Sequence, residues 1–117
     1  MSIKNLEPNG LWKNFYELTQ IPRPSKKEEK VVAFLKQFGE NLGLETIVDK
    51  VGNVIIRKPA TPGYEDRMGV VLQAHVDMVP QKNSDKVHDF EKEPIETRIE
   101  DGWVKANGTT LGADNGV

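Results

Sequence analysis

The first third of the chain carries its apolar residues at helical spacing in two segments. A first helix, from about residue 8 to 19, is predicted by the recurrence of Leu11, Trp12, Phe15, Tyr16 and Leu18. It is expected to end before Pro22, which lacks the backbone N–H that a helix interior uses. Ser25 and Glu28 have the spacing of a capping box, so a second helix is expected to begin at Ser25 and to end at Gly43.

Strand and turn signals follow the helices. Two short strands, residues 44–48 and 54–57, flank Gly52, and this order predicts a hairpin. Residues 68–74 form an almost unbroken apolar run, which predicts a strand buried on both faces in the middle of an α/β sheet. The polar residues 80–94 predict a long loop, of a length that is often functional.

A second hairpin is predicted after this loop. Apolar residues alternate from 95 to 99, and Asp101 and Gly102 are typical of a tight hairpin turn. Residues 107–117 are then rich in glycine and small polar residues, and the chain stops where a helix would be expected to start. We therefore expect residues 1–117 to be the N-terminal part of a longer protein.

Composition and charge argue against several classes of function. With 117 residues the chain is long enough for one compact domain, and its 29% charged residues sum to a net charge of -2. This balance gives no electrostatic case for binding nucleic acid or an anionic membrane. The absence of cysteine excludes disulfides and thiolate metal sites. Residues 1–8 lack the apolar core of a signal peptide, so a cytoplasmic protein is the default expectation.

His75 and Asp77 are the first candidates for chemistry, because they lie where the predicted buried strand ends. In open α/β sheets, ligands gather at the carboxyl ends of the strands. Residues two apart in extended backbone point to the same side, so the Asp77 carboxylate can accept one ring N–H of His75 while the other ring nitrogen binds a metal. The alternative is an ordinary buried histidine followed by a turn aspartate.

Asp114 is the second candidate. Gly112 and Gly116 flank it, so the backbone there can approach another group closely, and a carboxylate in such a turn can bridge two cations with its two oxygens. The alternative is a plain surface turn, since Asp, Asn and Gly are the usual turn residues. His88 stands beside an aspartate in the polar loop and is interpreted as a surface residue without a role.

Five stretches, which cover nearly the whole chain, match a known family; they are Leu11–Ser25, Gly52–Arg57, Val71–Val79, His88–Phe90 and Ala106–Gly116. Together they resemble the M20 metallopeptidase family and, within it, the aminoacyl-histidine dipeptidase branch. Most M20 relatives carry an Arg-Gly-containing version of the last stretch, and the absence of that version here favours the dipeptidase branch.

The resemblance implies a three-layer αβα catalytic domain with a mixed sheet and a two-metal site. His75 would bind one metal ion, Asp77 would act as the catalytic aspartate that orients His75, and Asp114 would bridge both ions. The two divalent ions would be Zn²⁺, with Co²⁺ or Mn²⁺ able to substitute. A cis peptide after Asp114 is also implied. The reaction would be metal-assisted hydrolysis of dipeptides, Xaa-His among them.

The resemblance also implies that residues 1–117 are incomplete as an enzyme. The general-base glutamate, the remaining metal ligands and the lid and dimerisation domain of the family would all lie beyond Val117. We therefore expect this chain to bind zinc weakly and to hydrolyse nothing alone, while the full-length enzyme would be a homodimer. No residue here identifies the contacts with the substrate.

Two alternatives stay open. One is an M20-like aminoacylase or aminopeptidase, which would share the fold and differ in substrate. The other is a non-catalytic α/β module that serves as a binding or structural unit.

Overall fold

The computed structural model describes residues 1–112 and 116–117. The chain divides into two compact units, one made of Met1–Val31 and Ala74–Val117 and the other of Val32–Gln73. The buried hydrophobic core of the described part lies in the first unit and consists of Ile3, Leu18, Val31, Met78 and Ile95. The core therefore lies in the unit that also contains His75 and Asp77.

The first helix, α1, spans Asn9–Thr19, as the apolar spacing predicted. A short 3₁₀ turn at Ile3–Asn5 precedes it, and the Glu7 carboxylate accepts a hydrogen bond from the Asn9 backbone N–H at 3.0 Å. That contact satisfies one of the free N–H groups at the helix start. Leu18 and Thr19, at the carboxyl end of α1, are its buried residues.

The second helix, α2, spans Glu29–Asn41, and the predicted start at Ser25 is wrong. Glu28 accepts a hydrogen bond from the Lys26 N–H at 2.8 Å, and Lys26 itself has a φ of 76°, which is not helical. The hydroxyl of Ser25 bonds to Asp77 instead of to a helix N–H. A long-range partner therefore replaced the local cap that the spacing indicated.

The end of α2 follows the prediction. Gly43 has a φ of 71°, its N–H donates to Glu40 O at 2.9 Å, and the Leu44 N–H donates to Gly39 O at 3.1 Å. These two bonds form a Schellman motif, which requires a left-handed residue that glycine adopts without steric cost.

The hairpin of the second unit is also confirmed. Strand β1 (Glu45–Val48) pairs antiparallel with β2 (Val54–Arg57). The Asp49 carboxylate closes the turn by accepting hydrogen bonds from the N–H groups of Val51 and Asn53, each at 2.9 Å.

The apolar run at residues 68–74 is not the buried strand that was predicted. Val71 and Leu72 are 90% and 92% exposed, and no β-pairing is recorded for the run among the described residues. An apolar sequence favours burial, but a strand also needs neighbouring strands for its backbone N–H and C=O groups. The described part of the chain brings no strand beside this segment.

The second predicted hairpin is present. Strand β3 (Thr97–Glu100) pairs antiparallel with β4 (Trp103–Ala106). Asp101 and Gly102 both have positive φ, 52° and 78°, as a two-residue hairpin turn of type I′ requires. No helix or strand lies between residues 80 and 94, so the predicted loop is confirmed.

The α/β class is confirmed by helices and strands in one chain. The strands of the described part form two separate antiparallel pairs, β1–β2 and β3–β4, so these residues do not themselves assemble the mixed sheet of the expected three-layer arrangement. Parallel pairing is present as one isolated bridge, between Pro24 and Met78. None of the described helices is long and apolar enough to cross a membrane.

Candidate functional site

The site region is built where the turn after α1 meets the segment that contains His75. Pro24 and Met78 form a parallel bridge: the Met78 N–H donates to Arg23 O at 3.0 Å, and the Ser25 N–H donates to Met78 O at 3.2 Å. Pro24 and Met78 are both buried. Asp77, one residue before Met78, is therefore held beside Ser25 by backbone pairing.

His75 and Asp77 make the contact that their spacing predicted. The Nδ1 atom of His75 lies 3.1 Å from Asp77 Oδ1 and 3.0 Å from the Asp77 backbone carbonyl oxygen. Both neighbours are hydrogen-bond acceptors, so in the neutral ring Nδ1 carries the proton. Nε2 then keeps its lone pair, and the side chain of His75 is 69% exposed. This is the tautomer that a histidine needs to bind a metal through Nε2.

Asp77 divides its two carboxylate oxygens between two partners. Oδ1 faces His75, and Oδ2 accepts a short hydrogen bond of 2.5 Å from the Ser25 hydroxyl. The bond from Ser25 is the main reason that the pKa of Asp77 lies below its ordinary value, and the contact with His75 lowers that pKa further, while burial acts in the opposite direction. Asp77 is therefore ionised at neutral pH and acts as an acceptor for both neighbours.

Arg23 contacts the backbone between His75 and Asp77 and is only 2% exposed. Its Nε donates to Val76 O at 2.8 Å, and Nη1 donates to Leu18 O at 2.7 Å. Burial lowers the pKa of Arg23, and the negative charge of Asp77 opposes this effect. An arginine stays protonated under such a shift, so Arg23 ties α1 to the His75 segment with a permanent positive charge.

Asp114 and the predicted cis peptide at Asp114–Asn115 lie outside the described residues. The segment that precedes them is anchored: the Thr110 hydroxyl donates to Val79 O at 2.7 Å, and the Thr110 N–H donates to Gln81 O at 2.9 Å. Residue 110 therefore lies beside the chain that follows Asp77. The bridging role of Asp114 stays a prediction.

His88 is not the surface residue that its polar surroundings indicated. Its side chain is 1% exposed and packs edge-on against Phe90, with ring centroids 4.7 Å apart. Nδ1 lies 3.2 Å from Glu93 Oε2, but within the described part of the chain neither ring nitrogen makes a hydrogen bond of acceptable angle. The buried ring leaves His88 unsuited to an exposed metal site.

Ser25 and Arg23 are the site residues that sequence reasoning missed. Ser25 was assigned to a helix cap because Glu28 follows it at the capping-box spacing, and Arg23 was assigned no role. Both lie in the stretch Leu11–Ser25 that carries part of the family resemblance. The match of that stretch to the family could have pointed to the site, but it does not show which of its residues contact His75 and Asp77.

Among the described residues, His75 is suited to supply one ligand of a metal site. The exposed imidazole of His75 is oriented by a carboxylate on Nδ1, as is usual for metal-ligating histidines. Within residues 1–112 and 116–117, no group of three or more His, Asp or Glu side chains is arranged to hold an ion. A closed tetrahedral zinc site needs four ligands, so His75 would require partners beyond these residues.

Comparison with known proteins identifies relatives of the chain. It is similar to the cytosol non-specific dipeptidase of Escherichia coli strain K12, with 52% identity over 115 residues, which are 98% of this chain and 24% of that protein. A shorter match of 39% identity over 66 residues, 55% of this chain and 18% of the relative, links it to a candidate LysW-lysine/LysW-ornithine hydrolase of Pyrococcus abyssi. No protein-family model matches the chain.

A solved structure agrees with the first match. The fold is similar to the crystal structure of aminoacylhistidine dipeptidase from Vibrio alginolyticus, with a TM-score of 0.93 and 51% identity, over 99% of this chain and 24% of that one. The chain thus spans about a quarter of the length of the dipeptidases that it matches. Over the quarter of their length that it spans, the chain is similar to the aminoacylhistidine and cytosol non-specific dipeptidases, in agreement with the resemblance of its sequence to that branch of the M20 family.

Proposed function

We propose that this chain contributes part of the two-metal site of a cytoplasmic dipeptidase, and that the complete enzyme hydrolyses dipeptides, Xaa-His among them. The observation that carries the proposal is His75, whose Nδ1 faces two acceptors of Asp77 and whose exposed Nε2 is left to bind a metal. Support comes from the 52% identity with a cytosol non-specific dipeptidase.

The ions that we propose are two Zn²⁺, with Co²⁺ or Mn²⁺ as substitutes. His75 would hold one ion through Nε2, and Asp114 would bridge the two. When bound, such a pair supplies Lewis acidity, which polarises the scissile carbonyl and lowers the pKa of a water molecule. In the neutral ring Asp77 holds the proton on Nδ1, so Nε2 is the nitrogen whose lone pair can bind a metal.

The chain by itself is expected to be inactive. One histidine and one bridging carboxylate are fewer ligands than a closed zinc site needs, and no general base has been assigned within the chain. Incubation of the chain with zinc and a panel of dipeptides is expected to release no amino acids. Metal-dependent turnover above a zinc-only control would contradict this expectation.

The decisive experiment uses the full-length dipeptidase of which we propose this chain to be a part. Purified with zinc, it is expected to cleave dipeptides, Xaa-His included, and to reject longer peptides and N-acyl amino acids. The variant His75→Ala should lose one bound metal equivalent and fall to background activity, whereas Lys50→Ala, in the exposed β1–β2 turn, should retain both. Full activity of His75→Ala would remove the basis of the proposal. Gel filtration of the same enzyme tests the proposed homodimer.

A second candidate is an M20-like aminoacylase or aminopeptidase. The partial match to a candidate hydrolase of LysW-linked lysine and ornithine favours a substrate other than a dipeptide. Its 39% identity over 55% of the chain is weaker than the dipeptidase match over 98%. Cleavage of N-acyl amino acids or longer peptides in the same panel would favour this candidate.

A further inference from the structure

The hydroxyl of Ser25 bonds to a residue far away in the sequence. A serine in a turn usually bonds to a backbone group nearby, for example the N–H two residues on. Here the Lys27 N–H already donates to Pro24 O at 2.9 Å, and the Ser25 hydroxyl reaches across 52 residues to Asp77 Oδ2. The local structure of the turn therefore does not depend on this hydroxyl.

The bond from Ser25 determines how the Asp77 carboxylate is oriented. An aspartate side chain can take three staggered χ1 rotamers and its terminal torsion is broad, so one contact alone does not fix the position of the carboxylate. Asp77 has two contacts on different oxygens, Ser25 on Oδ2 and His75 on Oδ1. With Oδ2 held by Ser25, Oδ1 is directed towards the Nδ1 atom of His75.

Ser25 is itself held in place. Its N–H donates to Met78 O, and its neighbour Pro24 is buried and bridged to Met78. Arg23, two residues earlier, donates to Val76 O at 2.8 Å and so fixes the residue between His75 and Asp77. The side chain of His75 is 69% exposed and its ring contacts Asp77, so the orientation of the ring depends on these anchored groups.

We propose that Ser25 is a positioning residue: its hydroxyl holds the carboxylate of Asp77 so that Asp77 in turn orients the imidazole of His75 for metal binding. The last step rests on the proposed function, in which His75 is a metal ligand. The first step, from Ser25 to Asp77, is independent of it.

The test of the first step uses the metal-free chain and the variants Ser25→Ala, Ser25→Thr and Ser84→Ala. Ser84 lies exposed in the polar loop and serves as the matched control. Side-chain couplings measured by NMR give the χ1 rotamer populations of Asp77 and His75. We expect a single Asp77 rotamer in the wild type, in Ser84→Ala and in Ser25→Thr, which keeps the hydroxyl, and averaging over several rotamers in Ser25→Ala. An unchanged Asp77 rotamer in Ser25→Ala overturns the proposal.

The test of the second step titrates the same four proteins with zinc alone and follows the ring signals of His75. Loss of an orienting group beside a ligating histidine typically weakens metal affinity about tenfold or more, so Ser25→Ala should bind zinc about tenfold more weakly than Ser84→Ala, with Ser25→Thr restoring the affinity. Equal affinities would overturn the step from Asp77 to His75. A wild-type chain in which zinc leaves His75 unaffected would contradict the proposed function instead, and the rotamer measurement would still decide the role of Ser25.

Discussion

Arg23 connects three parts of the first unit through one buried guanidinium. It donates to the backbone carbonyls of Leu18, Ile21 and Val76, which come from the end of α1, the turn after it and the His75 segment. The planar group with several N–H donors in fixed directions suits this task, whereas a lysine ammonium is a single point of charge. Losing these donors would remove three hydrogen bonds inside the first unit, and a polar group left unpaired on a buried side chain is costly.

The variant Arg23→Lys is therefore expected to lower the free energy of unfolding by about 2–4 kcal/mol. Arg57→Lys is the matched control, because Arg57 is 66% exposed and its ion pair with Glu45 spans 3.5 Å. The control is expected to change stability by less than about 0.5 kcal/mol. Urea unfolding followed by tryptophan fluorescence and by circular dichroism measures the loss in both variants. Equal losses in the two variants would show that burial of Arg23 does not matter.

At the scale of elements, α2 packs closely on the β1–β2 hairpin because one of its residues is glycine. A Cβ built on Gly39 would overlap the hydroxyl oxygen of Thr46 and lie 3.1 Å from Ile56 Cγ1. Glycine lowers helix stability by roughly 0.5–1 kcal/mol relative to alanine, so its presence inside α2 needs a packing reason. The close approach of the hairpin supplies that reason.

Gly39→Ala is expected to destabilise the protein by about 1–3 kcal/mol, because overpacking outweighs the gain in helix propensity. Gly10→Ala, in α1, is the matched control, since a Cβ there meets nothing within 4 Å, and it should stabilise by up to about 1 kcal/mol. Thermal unfolding by circular dichroism measures both. Adding Thr46→Ala to Gly39→Ala should recover part of the loss, and a stabilising Gly39→Ala would contradict the packing argument.

The β3–β4 hairpin carries an ion-pair network that makes its stability depend on pH. Lys105 and Arg98 each donate to the Glu100 carboxylate at 2.8 Å, and they lower the pKa of Glu100 from 4.5 to about 2. Because the folded pKa is depressed, this contribution is present above pH 4.5 and is lost as the pH falls towards 2.

An NMR titration of the Glu100 carboxyl carbon is expected to give a midpoint near pH 2 in the wild type. Lys105→Met should raise the pKa of Glu100, since it removes the largest of the lowering contacts. Arg98→Met should raise it by less. The network is exposed, so high salt should also raise this pKa by screening the charges. A wild-type midpoint at 4.5 would contradict the network.

For the molecule as a whole, the exposed apolar run at residues 68–72 is the feature that bears on self-association. Met68, Val70, Val71 and Leu72 are between 81% and 93% exposed and adjacent in sequence. Adjacent exposed apolar residues with free backbone groups favour pairing with another chain. We therefore expect the isolated chain to self-associate with rising concentration.

Sedimentation velocity over a concentration series tests this expectation. Leu72→Lys should shift the chain towards the monomer, because it places a charge inside the apolar run. Val87→Lys is the control: Val87 is 91% exposed but stands alone in the polar loop, so its substitution should leave the association unchanged. A wild-type chain that stays monomeric throughout would contradict the prediction.

Features that depend on a few neighbouring residues were determined by the sequence itself. The extent of α1, the Schellman end at Gly43 and the two hairpin turns follow from spacing and from turn residues within one short segment. The contact of His75 with Asp77 belongs to this class, because residues two apart in extended backbone share a side.

Features that depend on which segments meet in space were decided only by the tertiary structure. The capping box at Ser25 was a valid local pattern, but Asp77, 52 residues away, took the hydroxyl. His88 is buried although its neighbours are polar, and residues 68–74 are exposed although they are apolar, since burial is decided by what packs against a segment. Local sequence restricts φ, ψ and side-chain direction, whereas a long-range partner exists only once the chain has folded around it.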